Sequence, residues 1–231
     1  MTLCLNERHL NEEIHQDGKA FLEKTNCALW LDYREDLLNH LSEHSYWVQD
    51  NFLDSQTIKD LLLCAQSLEE EGLFKKAKIG KGTNKRQKSE IRSDKIYWIE
   101  SGTFERFNII DQIYGGLKEL CKEHLFLAIK RYESHFAKYG VGDFYKTHKD
   151  RHQTSPSRVI TCVVYLSDLR DQDGGQLILY DRNNRPQSIL PRAGKVVVFD
   201  SELEHEVKPC LVERWSLTGW LRDDIHPGLH I

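Results

Sequence analysis

The sequence predicts an α+β protein: a double-stranded β-helix (jelly roll) core with an N-terminal helical layer packed on it. Three observations carry this expectation. Apolar residues at helical spacing fall almost wholly before Phe126, whereas past Lys130 the chain breaks into short β-type segments divided by turn residues, the usual sign of a sandwich or barrel. The length of 231 residues suits one such unit, since all-β barrels and sandwiches often use roughly 200 to 250 residues as a single domain. A helical layer laid on an antiparallel double sheet buries the apolar face of both, and an eight-stranded jelly roll is the natural architecture of that kind. Residues 1–45 are expected to form a helical extension and residues 46–231 the main domain.

Taken in order, residues 1–45 are polar and helix-prone, with Leu10, Ile14, Phe21 and Leu22, then Leu37, Leu38 and Leu41, at helix-like spacing. Tyr46 to Leu53 is aromatic and β-branched. Asp54 or Ser55 is placed to cap a helix carrying Ile58, Leu61, Leu62, Ala65 and Leu68 on one stripe, with Gly72 to end it. A second long helix fits Phe104 to about Leu125, where Ile109, Ile110, Ile113, Leu117 and Leu120 recur at three to four residues, although the Gly115-Gly116 pair weakens it. The strands expected next are Arg131 to Tyr139, Phe144 to Asp150, Arg158 to Leu166, Gln176 to Tyr180, Lys195 to Phe199, Glu206 to Pro209 and Arg214 to Leu221. Turns fall at Gly140, Asp173-Gly-Gly and Arg192-Ala-Gly. Trp30, Trp47 and Trp98 are expected in the core or between layers, and Trp215, alternating away from Arg214, under the helices.

With 39 % apolar and 29 % charged residues, the chain has material for a core and for a water-facing exterior. Its longest fully apolar runs are a few residues, against the roughly 20 needed to cross a bilayer. Charge arrives early at the N-terminus, so neither a membrane span nor a secretory leader is expected. Six cysteines without a Cys-x-x-Cys pair point to thiols in a reducing compartment, hence the cytoplasm, and away from a disulfide framework or a zinc ribbon. The net charge of −4 hides a strong separation. Between Lys75 and Lys95, nine basic residues stand against Glu90 and Asp94, a local excess of seven, which leaves eleven negative charges on the remainder. Gly80, Gly82, Thr83 and Asn84 make this segment a loop.

The chemistry is expected in the β region. On a strand, side chains two apart share a face, so His148 and Asp150 project together, roughly 7 Å apart at the backbone, and can reach one metal ion. His205, beside another strand, is placed to supply a third ligand. Two imidazoles and one carboxylate on one side of an ion leave the opposite positions open, the facial triad of non-haem Fe(II) oxygenases. Arg214, nine residues after His205 and at the start of a β-type run, offers a fixed guanidinium for a carboxylate. Tyr165 ends a run that is apolar on both alternating faces, which places it in the core with a hydroxyl in need of a partner.

These pieces, together with Tyr165-Leu166, Gly174-Gly175-Gln-Leu and His205-Glu-Val-Lys-Pro209, resemble the Fe(II)/2-oxoglutarate-dependent dioxygenases, specifically the prolyl 4-hydroxylase group. Ile91-Arg-Ser-Asp-Lys-Ile-Tyr-Trp-Ile-Glu100 resembles the strand after the mobile substrate-covering loop of the hypoxia-inducible-factor prolyl hydroxylases, and bacterial relatives share it. The likeness runs from about Tyr46 to Asp223. It implies that His148, Asp150 and His205 hold Fe(II), and that Arg214 and Tyr165 bind the distal carboxylate of the co-substrate 2-oxoglutarate. Thr218, Trp220 and Tyr139 would line that pocket, while Arg92, Asp94 and Trp220 would meet the substrate. It further implies use of O2 with ascorbate as reductant, succinate and CO2 as co-products, and a protein substrate with a target proline, elongation factor Tu in some bacterial relatives. The basic segment would then be the substrate-covering finger loop.

Three other readings fit the residues less well. The DNA-repair demethylase branch carries a second Arg six residues after the carboxylate-binding one, where this chain has Trp220, and without a broad basic face nucleic acid is not the expected partner. A zinc site of His148, Asp150 and His152 requires three neighbouring residues of one strand to converge, so His152 is expected in solvent or beside the ligands. A non-catalytic metal-binding module needs none of His148, Asp150, His205 and Arg214 together.

Overall fold

The computed structural model describes residues 28–77, 90–99, 108–152 and 155–224. A 3-10 turn, Ala28–Tyr33, leads into helix α1 (Arg34–His44). Strand β1 (Tyr46–Gln49) and helix α2 (Ser55–Glu70) follow. Of the two expected caps, Asp54 is the one used: its carboxylate accepts from the backbone N–H groups of Gln56 and Thr57, both at 2.9 Å. Gly72, at φ +74°, takes the left-handed turn that lets the chain leave α2. Strands β2 (Lys75–Lys76) and β3 (Lys95–Ile99) pair at the base of the basic segment, most of which (78–89) lies outside the described residues. Helix α3 starts as Asn108–Ile110, widens into a π segment at Asp111–Gly115 and resumes as Gly116–His124. The glycine pair therefore sits where the helix regains α geometry.

Eight strands then build the β-helix: β4 (Arg131–Tyr139), β5 (Tyr145–His148), β6 (Arg158–Tyr165), β7 (Leu177–Tyr180), β8 (Pro186–Ile189), β9 (Val196–Asp200), β10 (His205–Val207) and β11 (Arg214–Arg222). The major sheet runs β1-β9-β6-β11-β4-β3-β2 and the minor sheet β5-β10-β7-β8. All pairs are antiparallel. From β4 to β11 the strands alternate between the sheets except at the β7–β8 hairpin, which stays in the minor sheet, so the chain winds as a double-stranded β-helix.

Strand alternation gives the major sheet two different faces. Cys162, Val164, Val198, Trp215 and Leu217 point outward and pack beneath Trp30, Leu37, Leu61, Ile113 and Leu117 of the helical layer. Trp30 also ties that layer to α3, its indole donating to the carbonyls of Gln112 and Ile113 at 3.1 and 2.9 Å. The opposite face carries Ala137, Tyr139, Val163, Tyr165 and Phe199 toward Leu177 and Val207 of the minor sheet. The functional pocket opens between the two sheets.

Four expectations are corrected. Strand β8 was not foreseen: it begins with a proline and carries Gln187 and Ser188, a composition fit for the edge of the minor sheet, where it sits. The run Phe144 to Asp150 is a strand only as far as His148, and the run expected from Glu206 starts at His205. The start of the helix expected from Phe104 lies outside the described residues, as do Leu10, Ile14, Phe21 and Leu22 of the expected N-terminal extension. Trp98 is not a core residue, being 44 % exposed. Its neighbour Tyr97 takes the helix-facing side of β3 against Phe74, which leaves Trp98 on the pocket side.

Candidate active site

His148 closes β5 and His205 opens β10, and the two are direct cross-strand partners. Their rings lie 4.2 Å apart between centroids. Asp150 sits beyond the end of β5, so it meets the histidines by a bend in the chain rather than by strand alternation. Ligand atoms of His148, Asp150 and His205 all lie within 4.8 Å of one another, the one such cluster among the described residues. His152 is exposed and stays outside it, so the alternative triad is not assembled.

The hydrogen bonds around the cluster prepare it for a cation. Each imidazole turns Nδ1 to a backbone carbonyl two residues earlier, His148 to Lys146 at 2.8 Å and His205 to Leu203 at 3.0 Å. An N–H donated there leaves the Nε2 lone pair of each ring free. Both Nε2 atoms face Asp150, at 3.8 Å from His148 and 3.4 Å from His205. Thr161 Oγ1 donates to Asp150 at 2.9 Å and also contacts Ser201 Oγ at 2.8 Å, while Arg158 lies 3.9 Å away. Burial, then the neighbouring His205, depresses the His148 pKa to about 3 and keeps its ring neutral. Burial alone would raise the pKa of Asp150, but His205, His148 and Arg158 outweigh it and hold the carboxyl well below its ordinary value. Imidazole lone pairs and an ionised carboxylate are the donors a divalent metal requires.

A second polar feature lies at the Arg214 end of the pocket. Arg214 is 2 % exposed, makes no ion pair among the described residues, and leaves its buried Nε without a partner. The guanidinium is flanked by the rings of Tyr139 and Tyr165, at 4.8 and 5.0 Å, and the Tyr165 hydroxyl is also buried and unpartnered. Gly175 permits this packing, since a Cβ there would stand 2.9 Å from Cys210 Sγ and 3.2 Å from Arg214 Cδ. Buried donors without acceptors are costly, and a carboxylate would satisfy both.

Tyr139, Thr218, Trp220, Arg92 and the three candidate ligands all line one pocket with Arg214. Asp94 does not: it is fully buried, and its carboxylate grips Arg92 through two bonds of 2.5 and 2.8 Å. Asp94 therefore acts on the pocket wall from behind. Arg92 in turn lies over the Tyr145 ring at 4.6 Å, and Tyr145 stacks on His148 at 3.5 Å. Residues not foreseen from sequence include Tyr145, Thr161, Arg158 and His135. Thr161 and His135 lie four residues before Tyr165 and Tyr139 on their strands, so inward alternation from those tyrosines was the signal available.

Residues 134–222 match the family described as the 2OG-Fe(II) oxygenase superfamily. A hypoxia-inducible factor prolyl hydroxylase of Caenorhabditis elegans is 30 % identical over 96 % of this chain, and Egl nine homolog 1 of Homo sapiens 27 % over 79 %. The chain spans only 32 % and 45 % of the lengths of those two relatives. Among solved structures, a Pseudomonas putida prolyl-4-hydroxylase is 33 % identical with TM-score 0.72, covering 82 % of this chain and 98 % of its own. A Trichoplax adhaerens prolyl hydroxylase, solved with a hypoxia inducible factor peptide fragment, is 27 % identical with TM-score 0.74, covering 83 % and 90 %.

Proposed function

The chain belongs to the 2OG-Fe(II) oxygenase superfamily, in its prolyl hydroxylase group, and from that premise we propose that it hydroxylates a prolyl residue of a protein substrate. O2 and 2-oxoglutarate are consumed, with succinate and CO2 as co-products. The observation that carries this reading is the pairing, in one pocket, of the His148, Asp150 and His205 cluster with the unsatisfied Arg214 guanidinium, against which the Tyr165 ring is buried.

The residues divide the work. His148, Asp150 and His205 would hold Fe(II), and Thr161 fixes the orientation of Asp150. Arg214 and Tyr165 anchor the far carboxylate of 2-oxoglutarate, with Tyr139 and Thr218 along its pocket. Bound iron supplies oxygen activation, coupled to oxidative decarboxylation of the 2-oxoacid. Val163, Leu177, Phe199 and Val207 keep the pocket apolar and exclude water. Arg92, braced by Asp94, and Trp220 face the substrate. The basic segment 75–95 suits a finger that grips an acidic face of the protein substrate.

Ascorbate is the reductant to include in assays. The cytoplasm is the proposed place of action: the four described cysteines are free thiols, and no described helix is long and apolar enough to cross a membrane. The test is incubation with Fe(II), ascorbate, 2-oxoglutarate and a cell lysate, followed by mass-spectrometric mapping of prolyl peptides that gain one oxygen. Elongation factor Tu is the first purified substrate to try. Peptide oxygenation and succinate should both vanish with His148→Ala. If that variant forms succinate like wild type, or no peptide gains oxygen, the reading is wrong.

A further inference from the structure

One corner of the pocket carries two buried polar atoms for which none of the roles above supplies a partner. His135 lines the pocket at 2 % exposure, and its Nδ1 is buried with no hydrogen-bond partner. Its ring is stacked on Trp220 at 5.1 Å and lies against Trp98 at 5.0 Å. Trp220 Nε1 is likewise buried and unpartnered. Behind Trp220 the Arg158 guanidinium lies over the indole at 3.5 Å, held by Glu133 at 2.9 Å. The rings are thus clamped in place, while two of their polar atoms are left unsatisfied.

Sheet register locates this corner. His135 pairs with Trp98 on one side and Thr218 on the other, and Trp220 pairs with Thr161, which bonds Asp150. Tyr139, opposite Arg214, is four residues along the same strand, roughly 13 Å away at strand rise. The corner therefore stands at the metal-ligand end of the pocket, away from the Arg214 end, with the partly exposed Trp98 ring against it. Burial first, then Arg92 and Arg158, keeps the imidazole neutral, so it carries one N–H and one lone pair. Trp220 can only donate.

We infer that His135 and Trp220 form a subsite that hydrogen-bonds a peptide group of the substrate beside the residue being oxidised. A peptide unit brings a carbonyl acceptor for the indole N–H and a second polar group for the imidazole, and the flat rings admit its plane. The inference rests on the protein-substrate reading proposed above.

The test uses a tiled library of proline-centred peptides. Wild type is first screened for peptides that gain oxygen, and the best is then titrated, without turnover, against protein loaded with Mn(II) and 2-oxoglutarate. His135→Met should weaken peptide binding at least about fivefold, the loss expected for one buried hydrogen bond. Its 2-oxoglutarate affinity and melting temperature should stay near wild type. His135→Gln, which keeps a donor and an acceptor, should recover part of the loss. If His135→Met binds peptide like wild type, or loses peptide and 2-oxoglutarate in equal proportion, the subsite is wrong while the prolyl hydroxylase reading stands. If wild type oxygenates no peptide of the library, the protein-substrate reading falls and the subsite with it.

Discussion

The two faces of β11 are made by one strand and do opposite jobs. Trp215, Leu217 and Leu221 point to the helices and are sealed in an apolar layer. Arg214, Ser216, Thr218 and Trp220 point the other way into the pocket, where Arg214 Nε and Trp220 Nε1 are buried without partners. A fold at its stability optimum would not leave such groups unsatisfied. The outer face supplies rigidity, and the inner face uses it to hold donors where a ligand must complete them.

This contrast breaks most sharply at Arg214. Arg214→Met should raise the KM for 2-oxoglutarate over a hundredfold, about 3 kcal/mol for removing one partner of a buried charged pair, with the metal-free fold at least as stable as wild type. Steady-state kinetics and chemical denaturation check both halves. Three residues on, Leu217→Ala should do the reverse: a loss of about 3 kcal/mol in denaturant stability, from a fully buried side chain, with 2-oxoglutarate KM unchanged. Thr161→Val keeps the shape of the wall but removes the donor to Asp150, so Fe(II) affinity should fall about 10- to 100-fold in a metal titration while the fold persists.

The smallest effect concerns pH. Burial, Arg92 and Arg158 depress the pKa of His135 well below its ordinary value of about 6.5, against a weaker opposing pull from Asp150. As pH falls below that ordinary value, the unfolded chain takes up a proton that the folded chain refuses. Folding stability therefore drops, by up to about 1.4 kcal/mol per pH unit for this one group. Denaturation curves at about pH 7.5 and about pH 5.5 should show His135→Met losing less stability on acidification than wild type.

Much of this division was legible in the sequence. The apolar alternation of Arg158 to Tyr165 and of Val196 to Phe199 marks strands buried on both faces, and the ligand set with Arg214 stands out because no structural need explains the residues together. What was hidden depended on partners distant in sequence. Nothing in the sequence around His135 marks it out until the register places Thr218 and Trp98 beside it. Trp98 reads as core because it is large and apolar, yet alternation against Tyr97 sends it to the pocket mouth. Strand β8 lacks apolar periodicity because an edge strand needs little of it. Asp150 was reached by sound chemistry but a wrong local reason, since the strand stops at His148 and a bend completes the approach.

The most direct test of the two-faced strand is a thermal melt of wild type, Arg214→Met and Leu217→Ala, each with and without Mn(II) plus saturating 2-oxoglutarate, because a ligand that binds only the folded state raises the melting temperature. Wild type should gain stability with 2-oxoglutarate. Leu217→Ala should melt lower but gain as much, and Arg214→Met should melt like wild type and gain only what the metal alone provides. A full 2-oxoglutarate-dependent gain in Arg214→Met would contradict the assignment of the inner face.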